Sequence, residues 1–218
     1  MIDTFIYLLI TAAYMILFII GLFLTKKNGL FKTENVLLLV ILALLYDNAT
    51  LAFGKYIGES QVLEQLNLAR YWLHALITPL LVLFAWKSLV NATFGWARTS
   101  IAKWIAIFYT LALISVELMT VVFGLTLESS WEFGVLSYES TESAVPIMII
   151  GVMLVLLVAS ILILWKQKWI WFLLGVLVMW IGAMIDLPIP SSALTNGFEL
   201  LLITSLVATK AYQDQKVL

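Results

Sequence analysis

The sequence predicts an all-α integral membrane protein, a single domain of seven transmembrane helices with its N-terminus outside and its C-terminus inside. Of its 218 residues, 63% are hydrophobic and 11% are charged, whereas soluble domains are about 45 to 50% apolar and about 25% charged. Seven apolar stretches approach the length of about 20 residues that one crossing requires. The basic residues are concentrated in alternate loops, as is typical of polytopic membrane proteins. Composition, span length and charge distribution therefore agree on one class of fold.

The predicted spans follow one another with short connections. No basic region of a cleavable signal peptide precedes the first span, so we expect it to be retained as a helix. Pro79 lies inside the third span and should kink it, and the apolar pattern from about Gln61 predicts a helix that leads into that span. A start at Ser191 or Ser192, a residue type common at helix N-termini, gives the last span its full length. The seven spans cover about residues 5–24, 36–53, 71–90, 101–123, 145–165, 169–187 and 192–212.

The loop charges predict the orientation of the chain. Lys55 and Arg70 lie on the same side as the N-terminus, and the other ten of the twelve basic residues lie on the opposite side. Because basic loops are retained in the cytoplasm, we expect the opposite side to be cytoplasmic and the membrane to be a bacterial cytoplasmic membrane. The ten are Lys26, Lys27, Lys32, Lys87, Arg98, Lys103, Lys166, Lys168, Lys210 and Lys216.

Composition also excludes several classes of functional site. The chain has no cysteine, which excludes disulfides, thiolate nucleophiles and cysteine-ligated metals. Its net charge of −1 gives no case for nucleic acid as a partner, whereas membrane lipid is an expected one. A single histidine disfavours a zinc site, and no metal site is predicted, although carboxylates with one histidine could hold Mg²⁺ or Ca²⁺. The sequence identifies no cofactor and no protein partner.

The longest external loop, residues 125–144, contains four glutamates and no basic residue. A short hairpin, or a lid over the ends of the helices, is one interpretation of this segment. We favour a solvated acidic loop, because external loops are free to be acidic.

Eight polar residues fall inside or beside the predicted spans, where an ionisable group needs a partner or a water-filled cavity. With the predicted orientation, all of them lie in the outer half of the membrane. Arg70 and His74 are four residues apart and share one helical face with Thr78, and acidic groups from other spans could neutralise Arg70. The eight are Asp47, Asn48, Arg70, His74, Glu117, Asp186, Asn196 and Glu199.

The leading functional hypothesis is a membrane-embedded enzyme or binding protein for a lipid or another amphiphile. Carboxylates in apolar surroundings can serve as acid and base, Arg70 can bind a phosphate or carboxylate headgroup, and His74 can orient the substrate or relay a proton. The candidate catalytic residues are Asp47, His74, Glu117 and Asp186. The candidate substrate-binding residues are Asn48, Arg70, Asn196 and Glu199.

Two other functions are open: transport of a small polar solute or ion, and a role as a sensory or assembly subunit. The inner half of every span is almost wholly apolar, which counts against a continuous polar path for transport. The inner loops are short, which leaves little surface for a signalling partner. The polar residues also have structural interpretations, such as Arg70 reaching lipid headgroups or His74 donating to a backbone carbonyl.

Overall fold

The computed structural model describes residues 2–28, 32–142, 145–184, 191 and 193–216, and within them the chain is mostly α-helical. The helices are α1 (Ile2–Asn28), α2 (Val36–Ile57), α3 (Gln61–Ile77), α4 (Leu81–Asn91), α5 (Ser100–Glu117), α6 (Ile147–Gln167), α7 (Trp171–Met184) and α8 (Leu194–Lys216). Two strands, β1 (Leu127–Glu132) and β2 (Val135–Ser140), form an antiparallel hairpin between α5 and α6.

Five helical segments of the described chain are long and apolar enough to cross a membrane, and they correspond to the first five predicted spans. Large hydrophobic side chains cover their outward faces; on α5, Ile101 is 73% exposed and Phe108 is 64% exposed. Soluble proteins rarely expose a continuous surface of this kind, so these are the helices of an integral membrane protein. The five are Ile2–Lys26, Thr33–Ile57, Gln61–Asn91, Ser100–Val122 and Ile147–Gln167, and the shorter apolar segment Trp171–Gly182 belongs to α7.

α3 and α4 form one long helical segment interrupted by a single tight turn. The Ser60 hydroxyl accepts a hydrogen bond from the Leu63 amide at 3.3 Å, which caps the start of α3. A 3-10 turn at Thr78–Leu80 separates the two helices, because Pro79 has no amide hydrogen to donate. The helix predicted from Gln61 is confirmed, and the interruption expected at the proline is present.

A core of buried side chains joins the first and last helices. Tyr14 of α1, Phe84 of α4 and Phe172 of α7 are each 0% exposed. The rings of Phe84 and Phe172 meet edge to face with centroids 6.3 Å apart, a favourable aromatic geometry. Leu206 of α8 is likewise buried in this core, so α8 packs inside the protein although it is the most polar of the long helices.

The hairpin covers one end of the helices, which we call the hairpin end; the opposite end, where α4, α6 and α8 finish, is the basic end. The turn residues Phe133 and Gly134 have φ values of 49° and 88°, as the twist of a two-residue hairpin loop requires. Val135 and Leu136 of β2 are buried, and β2 packs against α2 and α3. The prediction of a solvated acidic loop is therefore wrong, and the all-α prediction omits this element.

Contacts with residues that are distant in sequence hold the hairpin in place. The Thr4 hydroxyl donates to the Gly134 carbonyl oxygen at 2.8 Å, and the Ser140 amide donates to the Tyr71 hydroxyl at 3.0 Å. Gly54 of α2 lies against the Leu136 carbonyl, where a Cβ would overlap with the carbonyl oxygen. The hairpin can approach α2 this closely only because position 54 has no side chain.

We predict that Gly54→Ala destabilises the protein by about 1 to 3 kcal/mol, the usual penalty for overpacking, because the added methyl group displaces the hairpin. Thermal unfolding of the purified protein in detergent measures the effect. Gly197→Ala in α8 is the matched control, since no described atom lies within 4 Å of a Cβ there and alanine favours a helix. Equal stability of the two variants would contradict the close docking of the hairpin on α2.

Candidate functional site

An ion pair joins α2 to α3. The two helices are antiparallel neighbours connected by the short link Gly58–Ser60, and Asp47 and Arg70 each lie about three helical turns from it. Arg70 Nε donates to Asp47 Oδ1 at 2.7 Å, and the two side chains are only 17% and 23% exposed. One turn earlier on α3, Asn67 Oδ1 accepts a hydrogen bond from Arg70 Nη1 at 2.7 Å. The guanidinium group is thus oriented by partners on two sides.

A third helix, α8, joins this pair through Asn196. The Asn196 amide nitrogen Nδ2 lies 3.3 Å from Asp47 Oδ2 and 3.2 Å from Asn48 Oδ1, so it donates to both. Asn48 and Asn67 donate in turn to backbone carbonyls of their own helices, at 2.9 Å and 2.8 Å. We call these side chains the polar network; they are Asp47, Asn48, Asn67, Arg70 and Asn196. Both carboxylate oxygens of Asp47 are engaged within it.

A small cavity adjoins the polar network between α2 and α3. Its volume is about 20 Å³, which is enough for about one water molecule. Its polar lining comes from Asp47, Arg70, His74 and Thr78, and the Thr78 hydroxyl lies 3.3 Å from His74 Nδ1. The cavity can therefore hold a water next to the ion pair, but it is too small for a lipid headgroup.

Two further polar groups face the polar network from α1 and α8. Glu199, one turn after Asn196, and Tyr14 of α1 both lie close enough to Asp47 to be influenced by its charge. The Tyr14 hydroxyl is buried and has no hydrogen-bond partner among the described residues. Most buried polar atoms in proteins are hydrogen-bonded. The Tyr14 hydroxyl is therefore available to bond a water or another group that enters this region.

A second and larger pocket lies at the hairpin end, around Glu117 on α5. Its volume is about 240 Å³. Glu117 is 6% exposed, and its Oε2 atom is buried with no hydrogen-bond partner in the described part of the chain. Immediately after it the helix changes to a π-helical turn, Leu118–Val122, a feature found frequently at functional sites. We call this the π-turn pocket.

The walls of the π-turn pocket combine polar groups with an apolar rim. Tyr71 of α3 lines it, and because its hydroxyl accepts from a backbone amide, the hydroxyl hydrogen can still be donated. Glu142 provides a second carboxylate. Phe123 and Val145 form the rim and are 61% and 67% exposed. The pocket thus presents carboxylate acceptors beside a surface suited to hydrocarbon.

The structure brings most of the predicted site residues together. Four of them belong to the polar network, His74 lines the adjoining cavity, and Glu199 lies close to Asp47. Asp186 lies outside the described residues. The catalytic and substrate-binding roles stay predictions. The four are Asp47, Asn48, Arg70 and Asn196.

Glu117 does not join this group, contrary to the expectation of one shared polar cluster. It lines the π-turn pocket, and the ion pair of Arg70 is with Asp47. The cause is the geometry of α3, since neighbouring residues of a helix point about 100° apart. Arg70 faces α2, whereas Tyr71, the next residue, faces the π-turn pocket. Glu117 and Arg70 therefore belong to different sites, because residues at one depth in the membrane can point in different directions around their helices.

Two tyrosines were not among the predicted site residues, Tyr14 and Tyr71. Tyr7 and Tyr14 are seven residues apart and are both buried, at 2% and 0% exposed, so their spacing on one helical face is a signal that sequence could have offered. Tyr71 has no comparable signal, because an aromatic residue at a span end is usually part of the interfacial belt.

Within the described residues, no group of three or more histidine, aspartate or glutamate side chains is placed to hold a metal ion. Comparison with protein-family models, with curated proteins and with solved structures finds no match to this chain. Its function must therefore be argued from the geometry of its own residues.

We predict that Asp47→Asn and Arg70→Gln each strongly lower the free energy of unfolding. The double variant should lose less than the sum of the two single losses, because an unpaired buried charge is less stable than two neutral side chains. The expected coupling free energy is about 0.5 to 3 kcal/mol, measured by denaturant titration in mixed micelles. Asp47→Asn combined with Lys55→Gln is the control, since Lys55 is a basic residue without an ion pair to Asp47. The two losses of stability in the control pair should simply add. If the losses for Asp47→Asn and Arg70→Gln also add, the ion pair does not connect the helices.

Proposed function

We propose that the protein is a seven-span protein of a bacterial cytoplasmic membrane, with its N-terminus outside, that binds an amphiphile from the outer leaflet in the π-turn pocket. The chain crosses the membrane with α1, α2, the α3–α4 segment, α5, α6, α7 and α8. The hairpin then lies on the outer surface, and the basic end lies in the cytoplasm.

The distribution of charge supports this topology. Lys166, Lys168 and Lys216 all lie near the ends of α6 and α8, at the basic end, whereas the hairpin carries Glu128, Glu132 and Glu139 and no basic residue. Cytoplasmic loops are enriched in Lys and Arg. α8 has 23 residues, which at about 1.5 Å per residue exceeds the hydrocarbon thickness of about 30 Å.

The observation that carries the binding proposal is the carboxylate oxygen Oε2 of Glu117, which has no hydrogen-bond partner among the described residues. A buried acceptor without a partner lowers stability by about 1 to 3 kcal/mol, and a ligand that donates a hydrogen bond to it recovers that loss. The π-turn pocket gives such a ligand space, since its volume of about 240 Å³ is a little below the range of about 300 to 1,000 Å³ for small-molecule sites and suits a headgroup whose hydrocarbon part stays outside. Glu117 is therefore assigned as the anchor for a polar headgroup.

The lining of the pocket indicates the chemistry of that headgroup. The nearby charges are the carboxylates of Glu117 and Glu142, and no basic side chain lines the pocket. A headgroup that donates hydrogen bonds, such as an ammonium or a hydroxyl group, fits these acceptors, whereas a phosphate would be repelled. The exposed rim residues Phe123 and Val145 would contact the hydrocarbon part of the same molecule.

Binding is favoured over catalysis because Asp47, the other carboxylate among the described catalytic candidates, is occupied. Both oxygens of Asp47 accept hydrogen bonds from protein groups, and the cavity beside it has room for about one water. We infer that the polar network stabilises the helix arrangement that shapes the π-turn pocket. Transport and sensing have no specific observation in their favour among the described residues.

We predict that Glu117→Gln weakens amphiphile binding by about tenfold or more, because a hydrogen bond to a charged acceptor contributes about 1.5 to 3 kcal/mol. Mass spectrometry of the protein purified in a mild detergent measures the bound species. Glu128→Gln on the exposed face of β1 is the matched control and should retain them. Identical bound species in Glu117→Gln and the parent, or none in either, would contradict the proposal.

The orientation has its own test, since the chain has no cysteine and single cysteines can be introduced without background. We expect Ser129→Cys in β1 to react with a membrane-impermeant maleimide in intact cells. Gln215→Cys, near the end of α8, should react only after the membrane is permeabilised. The reverse pattern, or labelling of both in intact cells, would rule out the proposed topology.

A further inference from the structure

A large basic pocket opens at the end of the molecule opposite the hairpin. Its volume is about 740 Å³, and four cationic side chains from three parts of the chain line it. Among the described residues, no acidic side chain lines it, and none of the four cations forms an ion pair with an aspartate or glutamate. The four are Arg98, Lys166, Lys168 and Lys216.

Two of these cations are positioned by aromatic rings rather than by acids. Lys166 Nζ lies 5.9 Å from the centre of the Phe94 ring, and Lys216 Nζ lies 4.5 Å from that of Tyr212. Such contacts hold an ammonium group without neutralising its charge. The basic pocket therefore keeps its positive charge, and an anion that enters it relieves the repulsion among the four groups.

The backbone of the same pocket has an unusual conformation at two positions. α4 and α6 both end in left-handed residues, Thr93 with φ 65° and Lys168 with φ 57°, and both line the pocket. Glycine is the usual residue at such helix ends, and a β-branched threonine there is a genuine outlier. Strained residues of this kind cluster at ligand sites. Their presence here indicates that this pocket binds a ligand.

An apolar groove begins at the same part of the chain. It runs between α4, α5 and α6 with a volume of about 590 Å³, and its lining includes Trp96, Ile105 and Val158. Trp96 belongs to the 3-10 turn Trp96–Arg98, whose last residue lines the basic pocket. The basic pocket and the apolar groove are therefore adjacent at the turn Trp96–Arg98.

We propose that this end of the protein binds a membrane phospholipid with an anionic headgroup, with the phosphate in the basic pocket and an acyl chain in the apolar groove. Arg98 can hold a phosphate bidentately, and the lysines act as point charges around it. Basic pockets between transmembrane helices are known to take lipid headgroups of this chemistry. The site is separate from the π-turn pocket and does not depend on the function proposed for it.

The test compares short-chain phosphatidylglycerol with short-chain phosphatidylcholine as probes of the full-length protein in a neutral detergent, by native mass spectrometry. We expect phosphatidylglycerol to bind selectively. Because each lysine near an anionic lipid contributes about fivefold in affinity, Lys166→Gln/Lys168→Gln should weaken its binding about 25-fold. Equal binding of the two lipids would overturn the proposal.

Two controls distinguish binding at a specific site from general electrostatic attraction and from the effects of misfolding. Lys26→Gln/Lys103→Gln removes the same charge from exposed positions outside the pocket and should leave binding unchanged; an equal loss would overturn the proposal. Lys168→Gly places the favoured residue at the left-handed position, so it should unfold at the same temperature as the parent, or a higher one, and still bind less lipid. Undiminished binding by Lys168→Gly would count against the role of this residue and of the pocket.

A final arm distinguishes a lipid from free phosphate as the source of the anion. Inorganic phosphate in large excess should not displace phosphatidylglycerol if the acyl chain also contributes through the groove. Complete displacement would overturn the assignment to a lipid, because the basic pocket would then recognise the phosphate alone.

Discussion

The ion pair between Asp47 and Arg70 is the interaction on which the hairpin end of this protein depends. A charged side chain in the middle of a membrane helix opposes insertion by about 2.5 to 3.5 kcal/mol, so each residue is destabilising in this setting without the other. Their contact at 2.7 Å holds α2 against α3, and Asn196 extends the connection to α8. Three helices that meet a largely apolar environment are thereby linked by directional bonds, which hydrocarbon contacts alone would not provide.

The hairpin rests on the helices that this ion pair joins. β2 packs on α2 and α3, with Gly54 beneath the Leu136 carbonyl and Tyr71 bonded to Ser140. Tyr71 follows Arg70 directly, so one residue holds α2 while the next supports the hairpin and lines the π-turn pocket. A change in the position of α3 would alter both. The polar network and the pocket are therefore connected through α3 although different residues line them.

Sequence was sufficient for the first five spans and for part of the polar network. The lengths of these spans follow from hydropathy, and the helix from Gln61 and the interruption at Pro79 follow from the chemistry of neighbouring residues. The meeting of Asp47 with Arg70 was also accessible, because a short link makes α2 and α3 antiparallel neighbours. The hairpin was considered but was not the favoured interpretation, since its stability comes from Thr4, Gly54 and other residues far away in sequence.

The position of Glu117 could not be predicted either. Loop charges place a residue at a depth in the membrane, but they do not specify the direction in which its side chain points around the helix axis. That direction depends on which helices pack together and on the π-helical turn after Glu117, which shifts the register of the helix end. The basic pocket raises the same difficulty, because Thr93 and Lys168 are informative only once their φ values are known.

We propose that the molecule binds its amphiphile at Glu117 and that the polar network holds the helices together. An experimental density map of the protein in lipid nanodiscs would separate these two roles. We expect an elongated density in the π-turn pocket that reaches Glu117 Oε2, and at most one water beside Asp47 and His74. Ligand density between Asp47, Arg70 and His74, with nothing at Glu117, would contradict the proposal.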